Sequence, residues 1–95
     1  MTRSAGVLGR LARLRKAVDA QDRRILANLN DRMRVVRRIG RVKHAVGLPV
    51  YSPAREAGLL RVLVKGNRGP LTAADLRSIY RRILFVSRAL ERRRR

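Results

Sequence analysis

Arg15, Arg32 and Lys43 are the residues whose type and spacing could do chemistry, lying 17 and 11 residues apart along the first half of the chain. Stepping alternately by four and three gives Leu11, Arg15, Val18, Asp22, Ile25, Leu29, Arg32, Val36, Ile39, Lys43 and Val46, the kind of row that packs against other helices. A charge buried without a partner is costly, and on this row three cations face one aspartate. An unmatched positive seam calls for an anion. Two kinds fit: the long polyanion of a nucleic acid met by a diffuse basic surface, or one small anion held by a few placed cations. A frame shifted onto the neighbours Leu14 and Met33 is the alternative, in which both arginines snorkel at a wet rim and hold nothing.

Composition alone favours the polyanion. Lys and Arg number 25 against 6 Asp and Glu, a formal net charge of +19, which bears on association and solubility before it bears on fold. Hydrophobic residues make up 45% of the chain, however, too many for a basic tail or a disordered polycation. A packed single domain over residues 1–95 is therefore expected, near the size at which one chain is only marginally stable and a partner subunit helps. There is no cysteine, and the single His44 has no second histidine with which to share a metal, so no metal site is expected. His44 reads as a surface residue. The apolar run near the N-terminus is too short for a signal peptide, and nothing approaches the length of a membrane span. A cytoplasmic protein is expected.

These residues have to be positioned by helices. Pro49, Pro53 and Pro70 cluster with Gly47, Gly66 and Gly69 into two short breaks, and the periodicity between them is helical. Three helices are predicted: about Leu8 to Val46, about Pro53 to Lys65, and about Ala73 into the C-terminal arginines, with residues 1–7 and 92–95 disordered. Ser52 before Pro53 reads as a capping hydroxyl, and Thr72 with Asp75 as a variant capping box. Gly66 with Asn67 supplies left-handed residues to end the second helix. Gly40, inside the first helix, reads as simple tolerance of a poor helix former, the alternative being a close helix contact there. The first helix, at ~1.5 Å per residue, is a rod of roughly 57 Å, against a radius of gyration near ~13 Å for a compact domain of this length. Two short helices cover only part of such a rod. The rest is expected to pack on a second copy, giving an all-α intertwined homodimer.

Over residues 11–91 the stretches "LRKAVDAQDRRILANLNDRMRVVRRIGRVKHAVGLPVYSPAREAGLL" and "GPLTAADLRSIYRRILFVSRALE" resemble the all-helical class of chorismate mutase. The likeness is a set of spacings: "LR", an arginine 17 on, a lysine 11 further, "RE" 12 and 13 after that lysine, then a serine one turn before a polar residue. The resemblance implies a cofactor-free Claisen rearrangement of chorismate to prephenate, on the route to phenylalanine and tyrosine. It also implies roles. Arg15, reaching across from the other subunit, and Arg32 would hold the substrate carboxylates, and Lys43 would meet a carboxylate and the ether oxygen. Glu56 would accept from the ring hydroxyl, Arg55 would close the pocket, and Ser87 would sit at a carboxylate. Ser52 stands where many members have an aspartate, so it is either a substrate contact or a plain N-cap. Glu91 stands where bacterial members commonly carry a glutamine that donates to the ether oxygen. An ionised carboxylate cannot donate, so Glu91 is expected to act in its protonated form, the alternative being an ion pair with an arginine of the tail.

Rival functions leave different traces. A nucleic-acid-binding module accounts for the charge and the terminal "RRRR". It has no zinc-finger spacing or RNP-type sequence, though, and only Tyr51, Tyr80 and Phe85 to stack on, so the charge alone supports non-specific contact. An isochorismate pyruvate lyase on the same scaffold shares the site chemistry, but "LPVYSPARE" and Glu91 look more like the mutase.

Overall fold

The computed structural model describes residues 3–93, and among them there are three α-helices and no strand: α1 over Arg3–Val46, α2 over Pro53–Gly66 and α3 over Ala73–Arg92. Helix α1 begins at Arg3, five residues before the expected start at Leu8, so residues 3–7 are helical where disorder was expected. Gly6 and Gly9 weaken this first part, but no proline interrupts it, and the hydrogen-bonded ladder continues. Arg92 closes α3 as its last residue; Met1, Thr2, Arg94 and Arg95 lie outside the described residues.

The chain divides into two compact units, one ending at Arg32 and one from Met33 onward, the boundary falling within α1. The first is helix alone. Its large apolar side chains are open to solvent, Val18 and Ile25 by 58% and 54% and Leu8, Leu14 and Leu26 by similar amounts. The second holds the last part of α1 with α2 and α3, and the buried side chains are here: Val36 and Leu84, 7% and 6% exposed, with Ser87 at 4%.

Each turn that shapes the second unit has a definite cause. Gly47 adopts a left-handed conformation with φ 73°, which lets its N–H donate to the His44 carbonyl at 3.4 Å and that of Leu48 to the Lys43 carbonyl at 2.8 Å. This pair of bonds is a Schellman ending, available cheaply only to a residue without Cβ. Helix α2 ends differently from the expectation. Asn67 is extended (φ −75°, ψ 125°) and Gly66 is not left-handed; the Asn67 side chain instead donates to the Leu71 carbonyl at 2.7 Å and accepts from the Gly69 N–H at 3.0 Å. The left-handed residue of this loop is Gly69, at φ 71°. At the start of α3 the Thr72 hydroxyl accepts from the Asp75 N–H at 3.1 Å, as the capping pattern predicts.

Gly40 does more than tolerate a helix. A Cβ built there would stand 2.7 Å from the carbonyl oxygen of Glu91 and 2.8 Å from its Cα. Both are backbone atoms, so no side chain can swing aside; the absent methyl is what lets α3 lie this close to α1. Gly40→Ala should therefore destabilise by about 1–3 kcal/mol of overpacking, against the ~1 kcal/mol that alanine gains as a helix former. Chemical denaturation would show a lower midpoint, and a midpoint equal to or above wild type would mean the contact is loose.

Candidate active site

Two ion pairs and one backbone bond link the polar side chains of the second unit. Lys43 enters from the last turn of α1, and its Nζ donates to the Val50 carbonyl at 2.8 Å and lies 2.7 Å from Glu91 Oε1. Lys43 is 22% and Glu91 10% exposed, so the pair is largely removed from water. Glu91 Oε1 is buried and receives no directed hydrogen bond; its partner is the ammonium as a charge, off the hydrogen-bond direction. An ammonium has three N–H donors, of which one goes to the Val50 carbonyl.

The second pair belongs to α2 and α3. Arg88 Nη1 donates to both oxygens of Glu56, at 2.5 and 2.7 Å, with both side chains about four-fifths buried. The guanidinium carbon of Arg88 stands 5.0 Å from the centre of the Tyr51 ring, within the range of a cation–π contact. Tyr51 follows Val50, so the residue that receives Lys43 is chained directly to the one that supports Arg88.

Ser87, one residue before Arg88, donates to the Ile83 carbonyl at 2.7 Å and faces the Met33 sulfur at 3.8 Å. Its hydroxyl is engaged within the fold, and contact with a ligand carboxylate would need that proton turned away from Ile83. Ser52 occupies the N-cap position of α2, but its side chain makes no capping bond, contrary to the plain capping expectation. Pro53 presets the first helical φ, and the helix opens with the Glu56 N–H donating to the Ser52 carbonyl at 3.1 Å, so the hydroxyl is not consumed by the cap. Arg55 is exposed in the first turn of α2. Arg15 is exposed and Arg32 half-buried, both in the unit that ends at Arg32.

The second unit thus carries two separate ion pairs, Lys43 with Glu91 and Arg88 with Glu56, and holds Ser52, Arg55 and Ser87 on or beside the same helices. A cavity of about 500 Å³ adjoins it, lined by Gly40, Arg41, His44 and Arg93 among others, and Glu91 is the one candidate residue on its wall. Arg88 was not singled out from sequence. The signal was faint: in "SRALE" it stands one residue after Ser87 and three before Glu91, next to the face both define. Among the described residues no group of histidine, aspartate and glutamate is arranged to hold a metal ion, and no helix is long and apolar enough to cross a membrane.

Known proteins resemble this chain in sequence and fold. The family model of chorismate mutase type II matches residues 14–92. The bifunctional chorismate mutase/prephenate dehydratase of Aquifex aeolicus is 33% identical over 87 residues, which cover 87% of this chain and 24% of that protein. The chain spans about a quarter of the length of such curated relatives. Among solved structures, a chorismate mutase from Thermus thermophilus superposes with a TM-score of 0.87 at 40% identity, covering 90% of this chain and 97% of that one. The chorismate mutase of Helicobacter pylori in complex with prephenate gives 0.82 at 26% identity, over 87% and 90%.

The Lys43–Glu91 pair can be tested apart from any activity. Lys43→Met leaves a buried carboxylate facing no cation and should lower stability by about 3 kcal/mol. Adding Glu91→Gln should recover much of that loss in thermal melts; additive losses in the double variant would show that the two groups do not interact. With its three helices and the match over residues 14–92, the chain belongs to the type II chorismate mutase family.

Proposed function

We propose that the chain rearranges chorismate to prephenate, breaking the ether C–O bond and forming a C–C bond within one molecule, with no group gained or lost and no cofactor. The observation that carries this reading is Lys43, an ammonium held largely out of water between the Val50 carbonyl and the Glu91 carboxylate. Negative charge gathers on the ether oxygen as that bond lengthens, and a donor fixed beforehand needs no reorganisation when it does. Arg15 and Arg32 are assigned the two carboxylates, which a planar guanidinium binds through paired N–H groups. Holding both folds the enolpyruvyl arm over the ring. Glu56 accepts from the ring hydroxyl, Arg55 closes the pocket, and Ser87 and Ser52 add hydrogen bonds at the rim.

A homodimer is part of this proposal. The exposed Leu8, Leu14, Val18, Ile25 and Leu26 of α1 form the surface that a second copy would cover, and the exposed Arg15 on the same stretch would enter the partner's site. Each dimer then has two sites. The cytoplasmic location expected from the sequence belongs to the same reading, and nucleic acid is met only non-specifically, through the net charge.

The direct test mixes the protein with chorismate and identifies the product. Prephenate is expected; turnover of isochorismate to pyruvate and salicylate would assign the lyase instead. Arg15→Ala, Arg32→Ala and Lys43→Ala should each cut kcat/KM by roughly 10²–10³ with helicity intact. If Arg15 crosses the dimer, refolding an equal mixture of the Arg15→Ala and Lys43→Ala chains should restore about a quarter of wild-type turnover, since half the dimers are mixed and each has one intact site. No recovery would place Arg15 in its own subunit's site.

Glu91 is assigned the place beside the ether oxygen, next to Lys43. Glu91→Gln puts an N–H donor there and should keep turnover of chorismate; loss of turnover in a folded Glu91→Gln protein would show that the reaction needs the charge pairing with Lys43 instead.

A further inference from the structure

We propose that Arg88 is a positioning residue that acts through Glu56, and that Tyr51 is the shelf on which it rests. The inference rests on the mutase reading and extends it to residues that reading leaves out.

Glu56 is asked to accept a hydrogen bond from a ring hydroxyl, and a carboxylate on a freely rotating side chain accepts from many directions. Orientation must come from a second group. Arg88 supplies it: Nη1 bonds Oε1 at 2.5 Å and Oε2 at 2.7 Å, so both carboxylate oxygens are tied to one nitrogen. One nitrogen bonded to both oxygens fixes where the carboxylate sits and the axis along which it points, and still leaves each oxygen a lone pair, because a carboxylate can accept about four bonds. Charge assistance makes the hold strong. Burial of both side chains, at 22% and 21% exposure, reduces competition from water.

The guanidinium is itself held. Tyr51 lies 5.0 Å beneath its carbon, and a planar cation packed on a ring loses rotational freedom that a lysine in its place would keep. Tyr51 directly follows Val50, whose carbonyl receives Lys43. The donor at the ether oxygen and the acceptor at the ring hydroxyl are thereby set by adjacent residues of one connection, and Arg88 transmits the second setting.

A structural ion pair would also explain the contact, so the test needs a readout that stability alone does not move. The reaction is measured with chorismate and with its ring-hydroxyl O-methyl ether, which keeps both carboxylates and the ether bond but can no longer donate to Glu56. Arg88→Met should lower kcat/KM for chorismate at least tenfold, while the methyl ether, already deprived of that bond, should lose less than threefold. Combining Arg88→Met with Glu56→Gln should add little to either single loss. Tyr51→Leu should give a smaller loss of the same pattern. Equal losses on both substrates, or additive losses in the double variant, would overturn the positioning role.

Arg88→Lys serves where the methionine variant fails to fold: it retains the charge without the planar contact, and a chorismate-selective loss is again expected. Wild-type kinetics in the lysine variant would overturn the proposal. If the wild-type protein leaves chorismate unchanged, the mutase reading and this inference fall together. If wild type turns over and Arg88→Met matches it on both substrates, only the inference falls.

Discussion

The separation between α1 and α3 at Gly40 is set by backbone against backbone. With the Glu91 carbonyl and Cα within 3 Å of where a methyl would be, nothing larger than hydrogen fits on α1 at this position. Glu91 is the residue at that contact, and its side chain reaches Lys43 three residues along the same helix. Moving α3 outward by the width of a methyl would open the 2.7 Å ion pair and return its carboxylate to water. One glycine, poor for the helix that contains it, is thus a condition for the charge arrangement of the second unit.

That arrangement joins three connections of different strength. Val36 and Leu84 supply a small apolar centre, and few side chains are deeply buried among the described residues. Polar links take up part of the work: Lys43 ties the end of α1 to the segment before α2, and Arg88 ties α3 to the first turn of α2. Each is largely withdrawn from water and has a compensating charge, the condition under which a buried ion holds a geometry rather than weakening it. The Schellman turn at Gly47 sets the direction in which the chain leaves α1 and so brings Val50 under Lys43.

Much of this was legible in the sequence because it depends on local chemistry. Prolines and glycines marked the breaks, the alternating step of four and three marked α1, and Thr72 marked the start of α3. The errors have physical causes. Residues 3–7 were expected to be disordered, but Gly6 alone does not stop a helix there. Gly66 and Asn67 looked like a left-handed stop, yet the Asn67 amide found two backbone partners in an extended conformation. Gly40 was read as tolerance ahead of the close helix contact it makes, because a one-dimensional pattern carries no information about what lies across the helix. Arg88 escaped for the same reason: in a chain with 25 basic residues, the one that pairs with Glu56 differs from the others only by where the fold carries it.

The paired charges also separate two uses of electrostatics that the composition runs together. Lys43 with Glu91 and Arg88 with Glu56 cancel locally, so the network is close to neutral before a ligand arrives, while the chain as a whole carries +19. A field of that size acts over the distance between colliding molecules and draws anions inward, which raises the rate of encounter and is damped by salt within about 10 Å at 0.1 M. Retention of one particular anion depends instead on the few donors left uncancelled at contact range. Ionic strength should accordingly govern how fast a small dianion arrives far more than how long it stays.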